Sequence, residues 1–97
     1  MTVVVASSFA QRTRGLAWRK SVPAGYALKL EPCRSVHTFG MRFSLDLLWL
    51  DGEDRVVRVD YDVPPLRLRT CNKARAVVEV KAGEGRDLLE SGYTAAR

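Results

Sequence analysis

The segment Leu45-Asp46-Leu47-Leu48-Trp49-Leu50, followed at once by Asp51-Gly52, restricts the fold more than any other feature of the sequence. It is the most apolar run in the chain, of strand length, and far short of the roughly 20 residues that span a bilayer. Asp-Gly is a strong hairpin turn signal, so Asp51-Gly52-Glu53-Asp54 reads as the loop of a hairpin. The return strand runs from Arg55 to Tyr61, with Val57, Val59 and Tyr61 expected on one face. This antiparallel pair is the expected centre of the fold.

Other short strands surround it. Thr2 to Ser7 is a β-branched opening strand. Tyr26, Leu28 and Leu30 alternate with Ala27, Lys29 and Glu31, the pattern of a half-buried strand. Leu66 to Arg69 alternates as well, and Ala76 to Val80 is a further strand. Pro32 to Ser35 is a turn, and Pro64-Pro65 forces an extended connection without regular pairing. Ser7 or Ser8 is placed to cap a helix from Phe9 to about Trp18, and Pro23-Ala24-Gly25 breaks the chain after it. Gly83 and Gly85 open a last helical turn around Arg86 to Glu90. The pattern predicts a mostly β (α+β) domain: a compact antiparallel, barrel-like sheet of five to seven short strands with one short N-terminal helix. At 97 residues, with 46% hydrophobic and 28% charged side chains, residues 1–97 form one globular domain.

Charge is unevenly distributed. Residues 1–42 carry seven basic and one acidic side chain, and residues 43–62 carry two and six. Residues 63–81 return to five basic and one acidic. Twelve of the sixteen cations are Arg, which suits bidentate contact with carboxylate or phosphate. A basic balance alone gives weak, salt-sensitive attraction to polyanions. No helix-turn-helix, zinc-finger or aromatic-studded pattern accompanies it, so no specific nucleic-acid function is expected. The N-terminal segment has no basic region ahead of an apolar core, so a cytoplasmic protein without membrane association is expected.

Cys33 and Cys71 are the two cysteines, and no C-x-x-C occurs. The expectation is a pair of ordinary reduced thiols. Cys33 and His37 form a C-x-x-x-H pair, but a structural zinc site wants four ligands and His37 is the only histidine. No metal and no cofactor are expected.

The segment from Val36 to Asp46 departs from this plain pattern. It sets His37, Arg42 and Asp46 among apolar residues, and polar groups buried there must be satisfied. In a straight strand His37 would share a face with Phe39, Met41 and Phe43, while Arg42 and Asp46 would share the other. The Cα atoms of that second pair would then lie roughly 13 Å apart at about 3.3 Å per residue, too far for a direct pair. Arg14, Arg67 and Arg69 are alternative partners for Asp46. One reading makes Asp46 a structural tie and His37 a satisfied core residue. The other gathers His37, Arg42 and Asp46 beside Cys33 and Thr38 in a pocket for acid–base chemistry or anion binding.

At these same residues the chain resembles domain of unknown function family 192, a group of small bacterial and archaeal proteins. Arg12-Thr13-Arg14-Gly15-Leu16 is similar to the family's R-x-R-G-L/M motif, and Gly25-Tyr26-Ala27-Leu28 stands where the family has G-M-L-F. His37 through Asp51 resembles H-T-F-x-M-R-F-P-I-D-V-x-F-L-D, with Ser44 in place of the usual Pro. Cys71 through Glu79 is similar to C-x-x-A-R-A-V-L-E. The family's Gly-Asp before a final strand is Gly92-Tyr93 here. The resemblance implies a compact, mostly β single domain and no activity. It places Arg14, His37, Thr38, Met41, Arg42, Asp46 and Glu79 on motif positions.

The leading expectation is a small binding or accessory module. Its cleft would use Arg14, His37, Thr38, Arg42 and Asp46 for an anionic or polar small ligand or a partner segment. A second is a small hydrolase or lyase with His37 as base and Asp46 orienting it. A third is an interaction protein that pairs through an exposed strand edge such as Leu66 to Thr70.

Overall fold

A computed structural model of the chain describes residues 2–6, 25–39 and 41–91. They form seven strands and one helix: β1 (Thr2–Ala6), β2 (Tyr26–Leu30), β3 (Ser35–His37), β4 (Leu45–Leu50), β5 (Val56–Val63), β6 (Leu68–Thr70), β7 (Ala76–Lys81) and α1 (Gly85–Glu90). Five strands make one sheet in the order β1-β2-β7-β4-β5, and β3 and β6 make a separate two-stranded sheet. The expected mostly β architecture is present, with three corrections. The large sheet is mixed, because β1 and β2 run parallel while its other pairs are antiparallel. It is open, because β1 and β5 lie at opposite ends of the order. The helix it describes is C-terminal; the expected helix from Phe9 to Trp18 lies outside the described residues.

The parallel pair explains the first two corrections. Parallel neighbours cannot be joined by a tight turn, and β1 and β2 are accordingly far apart along the chain. The C-terminal strand β7 then inserts between β2 and β4. The sheet is thereby covered on both faces instead of curling on itself, and its interior strands are buried on both sides. All six residues of β4 and five of the six in β7 are buried.

Alternation along β4 divides the core. Leu45, Leu47 and Trp49 pack on one face with Val36, Met41, Val63 and Cys71, beneath the β3–β6 pair. Leu48 and Leu50 pack on the other with Val78, Val80 and Leu88 of α1. The expected half-burial of β2 is also corrected, since Ala27, Leu28, Lys29 and Leu30 are all buried. Lys29, only 4% exposed, sits inside because Glu31 and Asp54 each reach its ammonium at 2.8 Å. Burial opposes that charge, but the two carboxylates outweigh it and the ammonium pKa is raised.

The hairpin forms where Asp51-Gly52 places it. The Asp51 carboxylate accepts the Glu53 and Arg55 backbone N–H groups at 2.8 and 3.0 Å. Along β5 the expected single face of Val57, Val59 and Tyr61 does not persist. The register against β4 slips twice, and each slip inserts a residue into β5 that reverses the alternation.

Candidate functional site

The second slip creates the most organised polar junction among the described residues. Leu45 pairs with Val63 and Leu47 with Asp60, so Tyr61 and Asp62 both stand opposite Asp46. Asp62 adopts φ +53°, an unusual conformation for a non-glycine residue, and its N–H donates to Asp46 Oδ1 at 2.8 Å. The other carboxylate oxygen accepts Gly83 N–H at 3.0 Å and Gly85 N–H at 2.9 Å. Asp46 is 1% exposed, and three backbone donors compensate its burial.

The two glycines meet different demands of this turn, one of backbone conformation and one of space. Gly83 has φ +98°, and a Cβ on Gly85 would come within 2.6 Å of the Asp46 Cβ. Ala82 N–H donates to the Ser44 carbonyl at 3.2 Å, tying the same turn to the start of β4. Asp46 thus joins β4, the end of β5 and the β7–α1 turn. Arg67 and Arg69, expected as partners, instead donate to the carbonyls of their own neighbours Leu66 and Leu68. Arg14 lies outside the described residues.

Thr38 is a second tie. Its hydroxyl donates to the Pro64 carbonyl at 2.8 Å and accepts Arg67 N–H at 2.8 Å. Its own N–H donates to Arg67 O, while Leu66 and Met41 both donate to its carbonyl. The side chain is 1% exposed, and Met41 beside it is 7% exposed. Leu66 takes φ +64° to make this connection.

The other motif residues are on the surface. His37 is exposed and not a core residue, with its ring centroid 5.5 Å from that of Phe39. Arg42 is exposed and forms no hydrogen bond or ion pair with a described residue. The neighbour of His37 in β3, Val36, packs on the face of Leu45, Leu47 and Trp49, whereas Asp46 alternates onto the opposite face. No hydrogen bond joins His37 to Asp46 among the described residues, and the Asp46 oxygens are engaged by backbone. The base-and-carboxylate pairing of the enzymatic reading is therefore absent from this geometry. Neither Cys33 nor Cys71 forms a disulfide among the described residues, and no group of three metal-ligating side chains occurs among them.

A cleft of about 380 Å³ opens over the Asp46 junction, lined by Asp46, Tyr61, Asp62, Ala82, Gly83 and Arg86. The Arg86 guanidinium lies 5.3 Å from the centroid of the Tyr61 ring. The sequence reading named Asp46 as a candidate, but with Arg14, His37, Thr38 and Arg42, and did not name Tyr61, Asp62 or Arg86. Their juxtaposition depends on the bulge and on a helix start 39 residues after Asp46, at Gly85. Of these features only the glycine pair was visible in the sequence.

The model of the DUF192 family, described as an uncharacterised ACR, matches residues 1–92. The chain belongs to the DUF192 family. Among solved structures, the DUF192 chain is similar to a protein of unknown function from Novosphingobium aromaticivorans DSM 12444. That match has TM-score 0.78 and 17% identity over 89% of this chain and 66% of the other, so the chain spans just under two thirds of its length. It is also similar to a protein from Sinorhizobium meliloti 1021 described as a proposed transcription regulator. There the TM-score is 0.79 and the identity 17%, over 89% of this chain and 72% of the other. Both likenesses establish the fold alone. No curated protein matches the chain. No helix among the described residues is long and apolar enough to cross a membrane.

Proposed function

We propose that this DUF192 chain is a small binding module holding a polar ligand with an anionic group in the cleft over Asp46. The observation that supports this is Arg86, its guanidinium over the Tyr61 ring at the cleft wall, with no carboxylate of the described residues paired to it. The cation–π contact keeps the guanidinium at the ring while leaving its N–H groups available for a carboxylate or phosphate. Asp62, on the same cleft, offers an acceptor to a donor group of the ligand. The volume lies within the range of about 300–1,000 Å³ typical of small-molecule sites.

In this reading Asp46 shapes the floor through the backbone groups it holds, and Thr38 braces the adjoining loop. His37 and Arg42 do not line the cleft. A transcriptional role would rest on likeness of fold to one protein, and fold does not imply function.

Titration calorimetry against a panel of small carboxylates and phosphates tests the proposal. At least one compound should bind, with affinity reduced about tenfold or more by Arg86→Ala and unchanged by Arg42→Ala. Absence of binding across the panel, or binding indifferent to Arg86→Ala, would refute it.

A further inference from the structure

The outward face of the β3–β6 pair is a second surface, separate from the cleft. Ser35 pairs across to Thr70 and His37 to Leu68, and a hydrogen bond of 3.2 Å between the Ser35 and Thr70 hydroxyls shows that these side chains share a face. Val36, between them, is buried on the inner side, so this face points away from the core. On it Leu68 is 62% exposed, and Phe39, its ring tilted against that of His37, is 53% exposed. Leu66, latched to the Thr38 carbonyl beside them, is 68% exposed. Three large exposed apolar side chains on neighbouring segments mark an interaction surface.

The charge around this face limits what covers it. Residues 32–45 and 63–75, which build the two strands and their loops, contain Arg34, Arg42, Arg67, Arg69, Lys73 and Arg75 but no Asp or Glu. All but Arg69 are exposed, and the charge of Arg69 acts on a carboxylate, Asp60. Two copies placed face to face would bring like charges together. The occupant must be anionic and must also cover aliphatic leucines, for which a stack of nucleobases is poorly suited. The free edge of β6 is a weaker site than its face, because Arg67 and Arg69 lie over the Leu66 and Leu68 carbonyls at 3.3 and 3.0 Å.

We infer that this face docks an acidic protein segment, one that alternates carboxylates with apolar side chains. The apolar side chains cover Phe39, Leu66 and Leu68, and the carboxylates meet the surrounding arginines. Such a segment matches both features of the surface at once.

Fluorescence anisotropy tests this with a labelled peptide alternating glutamate with leucine. Its lysine–leucine and glutamate–serine counterparts, a single-stranded oligonucleotide and phosphatidylglycerol vesicles serve as competitors. The glutamate–leucine peptide should bind, lose about tenfold or more in affinity with Phe39→Ser or Leu68→Ser, and weaken with added salt. The two counterpart peptides should not compete. Urea unfolding of each variant separates loss of the face from loss of the fold. Arg86→Ala should leave this binding intact, so failure here is distinguishable from failure of the cleft reading. No binding of the acidic peptide, equal binding of the lysine peptide, or stronger competition by the oligonucleotide or vesicles would overturn the inference.

Discussion

The Asp46 junction and the outer face of β3–β6 are built from one sequence motif and have opposite characters. Asp46, Thr38 and Met41 are buried, and the two polar groups make several hydrogen bonds each. His37, Phe39 and Arg42, interleaved with them, are exposed. One stretch of chain therefore supplies both the ties that hold loops to the sheet and the groups displayed to solvent. Position in a motif does not tell which of these a residue does. Burial and hydrogen-bond partners do.

The strongest way to break this comparison is Asp46→Ala. Removing the carboxylate leaves three backbone donors without their acceptor, and urea unfolding should show a loss of about 3–4 kcal/mol. Gly85→Ala attacks the same junction from the other side, because its Cβ would collide with Asp46. It should cost about 2–3 kcal/mol, with Gly85→Ser no better. Thr38→Val keeps the shape and removes the hydroxyl, leaving the Pro64 carbonyl and Arg67 N–H unpaired. About 1–3 kcal/mol should be lost. At the other extreme, His37→Ala and Arg42→Ala should stay within about 0.5 kcal/mol of wild type. A large loss in either would show that the exposed half of the motif is also structural.

A smaller effect sharpens the comparison through pH. Burial opposes the charge on Asp60, but the hydrogen bonds from Arg58 at 2.7 Å and Trp49 at 3.0 Å outweigh it, and its pKa is lowered in the folded chain. A depressed carboxylate contributes stability that is fully present above its unfolded pKa of about 3.9 and is lost as pH falls through the folded value. Thermal unfolding should show wild type losing its advantage over Asp60→Asn in that acid window. A constant difference from pH 7 to pH 3 would show that Asp60 acts through neutral hydrogen bonding alone.

Much of the β architecture was legible along the chain. The hairpin at Asp51-Gly52, the strands at β1, β2, β4, β5, β6 and β7 and the turn of helix near Arg86 follow from periodicity and turn chemistry. The strand β3 was hidden, because three residues within a segment rich in special side chains carry no periodic pattern. The parallel pairing of β1 and β2 could have been drawn from the long connection between two strands, which is the pattern of a crossover.

The site was less legible than the fold. Asp46 stood out as a polar residue in an apolar strand, and burial made it a tie, as one reading expected. Tyr61 and Arg86 did not stand out, because an exposed tyrosine in a strand and an arginine in a short helix are ordinary on their own.

By itself the sequence determined where all the described strands but β3 lie, where the chain turns and which family it resembles. Those properties are local: side-chain period, turn residues and motif order are all read along the chain. Only the tertiary structure decided that β7 lies between β2 and β4, that Asp46 meets Gly83 and Gly85, and that His37 faces water. These depend on strand order and on a bulged register. Sequence separation constrains such choices weakly, because closing a longer loop costs only slightly more than closing a short one.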